Sequence, residues 1–107
     1  MVRFGIALMR PPNESLKYLF SFRLQTAISL HSTLVLVKKV NAGEKISYED
    51  EYTTTETEWI GTVPIGYGDG WHQNFKATGV LVEGKRFPIV GAITMDQLMI
   101  GLDRKYP

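Results

Sequence analysis

Tyrosines at the ends of apolar runs are the residues of this sequence best suited to chemistry. Three of the five tyrosines lie within residues 46–71, and Tyr48 and Tyr67 each end an apolar run. A free phenol has a pKa of about 10, so it acts as an acid or base near neutral pH only where a neighbouring cation or dipole stabilises the phenolate. The residues alone leave three roles open: packing, hydrogen bonding and proton transfer.

Other residue types that bind metals or act as nucleophiles are sparse. His31 and His72 are isolated, with no His, Asp or Glu partner at a metal-ligand spacing. The glycine-rich run at residues 66–70, GYGDG, lacks the lysine and hydroxyl residue of a phosphate-binding loop. Met95 and Asp96 stay ambiguous, because Met95 could fill core space and Asp96 could close a turn.

Six carboxylates are concentrated between residues 44 and 58. They are Glu44, Glu49, Asp50, Glu51, Glu56 and Glu58. Their spacing does not match the helix-loop-helix calcium pattern, so a solvated face is the better interpretation.

Length and composition indicate one ordinary globular domain. The chain has 107 residues, of which 44% are hydrophobic and 21% charged, with a net charge of +1. Balanced charge argues against nucleic acid as the main partner. The absence of cysteine excludes a disulfide scaffold and a thiolate metal site. No apolar run approaches the ~20 residues that span a bilayer, and the N-terminus lacks a signal-peptide pattern.

The elements that would position these residues are short strands. Apolar runs separated by Gly and Pro turns predict a mainly β fold, as a small barrel-like or sandwich domain. The predicted strands are residues 2–8, 18–24, a long strand within 25–40, an extended piece at 46–48, 59–67 with Pro64 marking an edge strand or bulge, a hairpin of 79–82 and 86–90 around Glu83-Gly84-Lys85, and 92–102 broken near Met95 and Asp96.

Five segments in register resemble alanine racemase, the pyridoxal-phosphate (PLP) enzyme that interconverts L- and D-alanine. They are residues 1–8 (MVRFGIAL), 29–40 (SLHSTLVLVKKV), 43–48 (GEKISY), 52–71 (YTTTETEWIGTVPIGYGDGW) and 88–100 (PIVGAITMDQLMI). The resemblance covers nearly the whole chain. It implies an isomerase that supplies D-alanine for cell-wall peptidoglycan, located in the cytoplasm.

The resemblance implies cofactor contacts near the N-terminus. Arg3 matches the arginine that faces the PLP ring nitrogen, and arginine does not readily give up its proton. Gly5 and Ile6 match residues whose backbone amides contact the PLP phosphate, which suits an anion. Residues 1–14 would then be the last strand and phosphate loop of a (β/α)8 barrel, and residues 15–107 a C-terminal β domain that is incomplete at its end.

The resemblance also assigns roles to the residues whose types leave several roles open. Tyr48 matches the catalytic tyrosine, a base on the substrate face opposite to a lysine. Tyr67 matches a second active-site tyrosine near the entrance. Met95 matches the position whose backbone N–H meets the substrate carboxylate, with Asp96 beside it. In the family these residues are offered across a homodimer, so each site takes its tyrosine from the partner chain.

The sequence departs from the family pattern at several positions. It has no segment similar to KANAYGHG, the family's PLP-binding lysine motif, and a (β/α)8 barrel needs about 250 residues. The chain is therefore expected to be a fragment that is inactive alone. Glu49 stands where glycine usually follows the catalytic tyrosine, and Ala92 and Thr94 replace arginine and cysteine. The alternatives are a non-catalytic β domain used for association and a related PLP racemase such as a serine racemase.

Overall fold

The computed structural model describes Met1 and residues 28–48 and 51–107, and it divides the chain into two units, Met1–His31 and Ser32–Pro107. All the strands that it describes belong to the second unit. The strands predicted at residues 2–8 and 18–24 lie outside the described residues, as do Arg3, Gly5 and Ile6. The predicted domain boundary after residue 14 also falls there and stays a prediction.

Strands dominate the described part of the chain, which confirms the mainly β class. In chain order they are β1 (Leu36–Val40), β2 (Lys45–Ile46), β3 (Tyr52–Thr53), β4 (Glu58–Val63), β5 (Val80–Val82), β6 (Lys85–Phe87), β7 (Ile89–Val90) and β8 (Leu98–Leu102). A four-stranded antiparallel sheet has the order β1-β4-β8-β7. β2 pairs with β3, and β5 pairs with β6, as two further antiparallel ribbons.

Apolar clusters lie on both faces of the four-stranded sheet. Successive side chains of a strand point to opposite faces, so β4 contributes Val63 to one cluster and Ile60 to the other. The larger core on one face consists of Val63, Phe87, Ile89, Ile93, Leu98, Ile100, Leu102 and Tyr106. A smaller cluster on the other face consists of Val40, Ile46, Ile60 and Val90. Ile46 belongs to β2, so the β2-β3 ribbon is packed against the sheet.

The turn predictions agree with the structure. Glu83 and Gly84 form the two-residue connection between β5 and β6, and both have positive φ angles, 49° and 79°. This is the geometry of hairpin turns that match the twist of the flanking strands. The break expected near Met95 and Asp96 is also present, since β8 begins only at Leu98.

Four strand predictions were wrong in extent. The strand predicted at 86–90 is divided at Pro88 into β6, which begins at Lys85 and pairs with β5, and β7, which pairs with β8. The long strand within 25–40 is limited to Leu36–Val40 among the residues that can be described. The strand predicted at 59–67 ends at Val63 and lies centrally between β1 and β8, so Pro64 sits just beyond the ladder, where no N–H is needed. The extended piece at 46–48 stops at Ile46, because Ser47 adopts a left-handed backbone with φ of 69°.

Candidate active site

A loop of residues 91–97 connects β7 to β8 and carries Met95 and Asp96. Three other segments are attached to this 91–97 loop through hydrogen bonds: the one that bears Tyr67, the one that bears Tyr48, and the segment around Gln73. The loop therefore positions the residues that the resemblance singles out.

The Tyr67 segment is bound to the 91–97 loop through its backbone. Tyr67 begins a short 3-10 helix, Tyr67–Asp69. The Tyr67 N–H donates to the Thr94 carbonyl at 2.9 Å, and the Gly68 N–H donates to the Met95 carbonyl at 2.8 Å. The Tyr67 side chain remains 51% exposed, so its phenol is available to a ligand.

Gly66 makes this approach possible. A Cβ added at Gly66 would overlap the backbone of Thr94, Met95 and Asp96, with the Asp96 nitrogen at 2.5 Å. The Asp69 carboxylate accepts a hydrogen bond from the Gly66 N–H at 3.0 Å and closes the turn. The first glycine of the GYGDG run thus serves close packing between two backbone segments.

The Tyr48 segment reaches the same loop through its neighbour Ser47. The Ser47 hydroxyl donates to the Ala92 carbonyl at 2.7 Å. A Cβ added at Gly91 would lie 2.8 Å from the Ser47 Cβ, and Gly91 itself has a φ of 70°. Tyr48 directly follows this anchor and is 68% exposed.

The Met95 turn is closed by Thr94. The Thr94 N–H donates to the Gln97 carbonyl at 2.9 Å, and the Gln97 N–H donates to the Thr94 hydroxyl at 3.0 Å. The Asp96 carboxylate also accepts a hydrogen bond from the Thr94 hydroxyl at 3.2 Å within this turn. Met95 is 60% exposed, so its side chain does not fill the core of this chain. The Met95 N–H has no hydrogen-bond acceptor among the described residues.

Gln73 holds the middle of the 91–97 loop. Its amide nitrogen donates to the Ile93 carbonyl at 2.6 Å, and its amide oxygen accepts from the Ile93 N–H at 3.3 Å. The side chain thus takes the place of a neighbouring strand for a buried residue. Sequence reasoning missed Gln73 and Ser47, for which no motif gave a signal. Thr94 was a usable signal for this turn, because threonine hydroxyls often form hydrogen bonds to nearby backbone groups in turns.

The acidic stretch is only partly a solvated face. Glu44, Glu51 and Glu56 are exposed, and Glu51 pairs with Lys76 at 2.6 Å. Glu58 is half-buried and accepts a hydrogen bond from the Tyr52 hydroxyl at 2.9 Å. Burial first, and then this hydrogen bond and the charge of Glu58, raise the pKa of Tyr52 above the ordinary 10.0 of a phenol.

Metal binding finds no support in the part of the chain that the structure describes. No group of three or more His, Cys, Asp or Glu side chains there is placed to hold a metal ion. The His31 ring contacts the Ser29 hydroxyl at 2.8 Å, and His72 stacks edge-on against Phe75. No helix among these residues is long and apolar enough to cross a membrane.

The geometry defines a mainly β domain that presents two exposed phenols and a backbone amide, unpaired among the described residues, around one loop. A family profile described as "Alanine racemase, C-terminal domain" matches residues 27–107. The chain therefore belongs to the alanine racemase C-terminal domain family.

Curated relatives and solved structures agree with this assignment. The alanine racemases of Anoxybacillus flavithermus and Geobacillus stearothermophilus are each 52% identical, over 99% and 100% of this chain and 28% of their own length. The structure of the Bacillus anthracis alanine racemase with bound L-Ala-P covers 96% of this chain at 45% identity and a TM-score of 0.90, over 27% of its own length. The chain thus spans less than a third of these relatives.

Proposed function

We propose that this chain is the C-terminal portion of an alanine racemase and that it supplies one half of a PLP-dependent active site. The reaction is the interconversion of L- and D-alanine in the cytoplasm, which provides D-alanine for cell-wall precursors. The observation that carries the proposal is the attachment of both the Tyr48 and the Tyr67 segments to the loop that bears Met95. The names of the relatives support alanine over serine as the substrate.

The described residues suit a small anionic substrate. The Met95 N–H, which has no acceptor among them, offers a donor for a carboxylate, and Asp96 follows it in the turn. Two exposed phenols can donate and accept hydrogen bonds beside it. This donor set fits an amino acid bound to PLP.

PLP would be held by residues from both parts of the enzyme. Arg3 would face its ring nitrogen, and the amides of Gly5 and Ile6 would bind its phosphate, as the family resemblance implies. When bound, PLP withdraws electrons from the substrate α-carbon and so makes the α-proton removable. The lysine that binds PLP would come from a barrel that this chain does not contain.

This chain's own residues would transfer the α-proton and orient the substrate. Tyr48 would take the α-proton on one face as a phenolate, or return it there from its hydroxyl, while the lysine would serve the opposite face. Tyr67 orients the substrate at the entrance. The Met95 N–H binds the carboxylate and fixes the α-carbon in front of Tyr48, since a base must lie within hydrogen-bond reach of the proton it moves.

The partner would be a second subunit in a homodimer. Tyr48, Tyr67 and Met95 would reach the PLP bound by the partner's barrel, and Arg3, Gly5 and Ile6 would serve the site of their own subunit. The chain by itself is expected to be inactive, because none of its lysines matches the PLP-binding position.

The test is α-proton exchange of L-alanine in D₂O with PLP, followed by NMR. The chain is measured alone, and then mixed with a separately produced barrel that carries the PLP-binding lysine. We expect exchange in the mixture only, and Tyr48→Phe should abolish it. Exchange by the chain alone, or exchange in the mixture that survives Tyr48→Phe, would contradict the proposal.

A further inference from the structure

Ser47 has a backbone conformation that its residue type disfavours. Only two non-glycine residues in the described ranges have positive φ angles, Ser47 at 69° and Glu83 at 49°. Glu83 lies in a two-residue hairpin turn that requires this geometry. Ser47 lies in the longer connection between β2, which ends at Ile46, and β3, which begins at Tyr52. A left-handed conformation costs a residue with a Cβ about 1–2 kcal/mol. Tertiary contacts must therefore hold Ser47 in place.

Two contacts with the start of the 91–97 loop provide this hold. The half-buried Ser47 hydroxyl donates to the Ala92 carbonyl at 2.7 Å. The Ser47 Cβ also packs closely against Gly91. A Cβ added at Gly91 would lie 2.8 Å from the Ser47 Cβ and 2.9 Å from the Ile46 carbonyl oxygen. Because the acceptor is a backbone oxygen, this hydrogen bond does not depend on the side chain at position 92.

These contacts link the chain segments of Tyr48 and Met95, two residues of the proposed site that are far apart in sequence. Ser47 precedes Tyr48 directly, and Ala92 lies three residues before Met95. The backbone turns sharply at Ser47, so the direction in which Tyr48 leaves the β2 strand depends on the angle adopted there. The same loop binds the backbone of Tyr67 at Thr94.

We propose that Ser47 is a positioning residue, whose hydrogen bond to Ala92 fixes Tyr48 relative to the Met95 amide. This inference rests on the proposed function for its meaning in catalysis, but the hold on the loop is a property of this chain alone. A displacement of about 1 Å can slow an enzymatic reaction by about 100-fold, so a single anchor next to the base has a large effect.

The first experiment needs no activity. Ser47→Gly retains the left-handed backbone easily and removes both contacts, the hydroxyl and the Cβ that packs against Gly91, so the variant should fold without the proposed anchor. Amide hydrogen exchange of the Ser47→Gly chain is compared with that of Thr78→Val, which removes a hydroxyl that donates to the Phe75 carbonyl at 2.6 Å rather than to the 91–97 loop. We expect the Tyr67, Gly68 and Thr94 amides to exchange about three- to tenfold faster in Ser47→Gly only.

If the Tyr67, Gly68 and Thr94 amides of Ser47→Gly exchange no faster than those of the unchanged chain, Ser47 does not stabilise the 91–97 loop and the proposal is wrong. The amides of β4 and β8 serve as the internal reference, because the sheet does not depend on this hydroxyl. If they lose protection together with the loop, Ser47 serves general stability and the positioning role is wrong.

The second experiment uses the chain assembled with the lysine-bearing barrel, and it follows α-proton exchange from each alanine enantiomer separately. Tyr48 and the lysine act on opposite faces, so a misplaced Tyr48 should slow exchange from one enantiomer only. We expect Ser47→Gly to lower kcat for that enantiomer by about 10- to 100-fold, with KM and the other enantiomer changed by less than about threefold.

An equal loss on both enantiomers, or no loss on either, would overturn the positioning role. Ser47→Asn is the rescue variant, since asparagine tolerates a positive φ and offers an N–H to the same carbonyl. It should restore a part of the lost rate. If Tyr48→Phe does not change the exchange rate in the same assembly, the proposed function is wrong. The hydrogen-exchange experiment still tests separately whether Ser47 stabilises the 91–97 loop.

Discussion

At the residue scale, polar side chains form hydrogen bonds to loop backbone groups that a neighbouring strand would otherwise form. Thr54 is buried, donates to the Asn41 carbonyl at 2.6 Å and accepts from the Glu44 N–H at 3.0 Å, which closes the turn before β2. Gln73 pairs with both backbone groups of Ile93. These bonds keep loop backbone satisfied where no neighbouring strand is available.

Tyr52 gives a residue-scale prediction for pH. Its pKa is raised above 10.0 in the folded chain, so the folded state holds the phenol proton more tightly than the unfolded state does. The stability that this provides is fully present below about pH 10 and is lost as the pH rises through the folded pKa. Tyr52→Phe should therefore reduce the loss of stability at alkaline pH.

The measurement is urea unfolding of both proteins between about pH 8 and about pH 11. At about pH 8 the variant should be less stable by about 1 kcal/mol, because it loses the hydrogen bond to Glu58. The difference should shrink as the pH rises. A constant difference over the whole range would show that the Tyr52 phenol does not couple folding to pH.

At the element scale, the Tyr67 helix and the 91–97 loop behave as one unit, because their backbones touch directly. Gly66 and Gly70 flank this helix and are glycines for different reasons. Gly66 has a φ of −143°, which any residue adopts, but it has no space for a side chain. Gly70 has a φ of 95° and open space around it.

Gly66→Ala should be the more damaging of two matched substitutions. The new methyl group would overlap the backbone of the Met95 turn, so the turn must move, and overpacking of this kind costs about 1–3 kcal/mol or more. Gly70→Ala should cost only the left-handed conformation, about 1–2 kcal/mol. Hydrogen exchange separates the two: Gly66→Ala should expose the Tyr67 and Gly68 amides, and Gly70→Ala should not. Equal protection in both variants would contradict the close packing at Gly66.

The elements that could be predicted from the sequence are those whose signals are local. The hairpin around Glu83 and Gly84 follows from its turn residues, and the break near Met95 follows from polar residues in an apolar run. The extent of β1 was missed because the apolar residues that precede it do not reveal where the partner strand β4 ends. Pro64 was misread, since a proline just after a strand and one within an edge strand look alike in sequence.

The residues of the candidate site also divide into those that a sequence signal reveals and those that it does not. Tyr48, Tyr67, Met95 and Asp96 were selected through the family resemblance, and these assignments stay predictions. Ser47 and Gln73 could not be found, because their partners Ala92 and Ile93 lie 45 and 20 residues away and contribute only backbone atoms. A backbone acceptor leaves no mark in the sequence, so only a three-dimensional structure reveals such anchors.

At the scale of the whole molecule, the chain matches 28% of the length of its curated relatives, which is why we propose that its site is one half of a larger one. The half that the chain carries is internally organised: one loop, three attached segments and two exposed phenols. The contacts of the loop with these segments all lie within residues 47–97 of this chain, so they should be retained when the chain is placed in a complete relative.

The most direct test of the proposed function is the racemase activity of a chimera, in which this chain replaces the matching segment of the Anoxybacillus flavithermus alanine racemase. We predict a folded enzyme that racemises alanine and loses at least about 100-fold in kcat on Tyr48→Phe, as expected for removal of a base. A chimera that folds and binds PLP but does not racemise alanine, or that keeps its activity without the Tyr48 hydroxyl, would contradict the central claim.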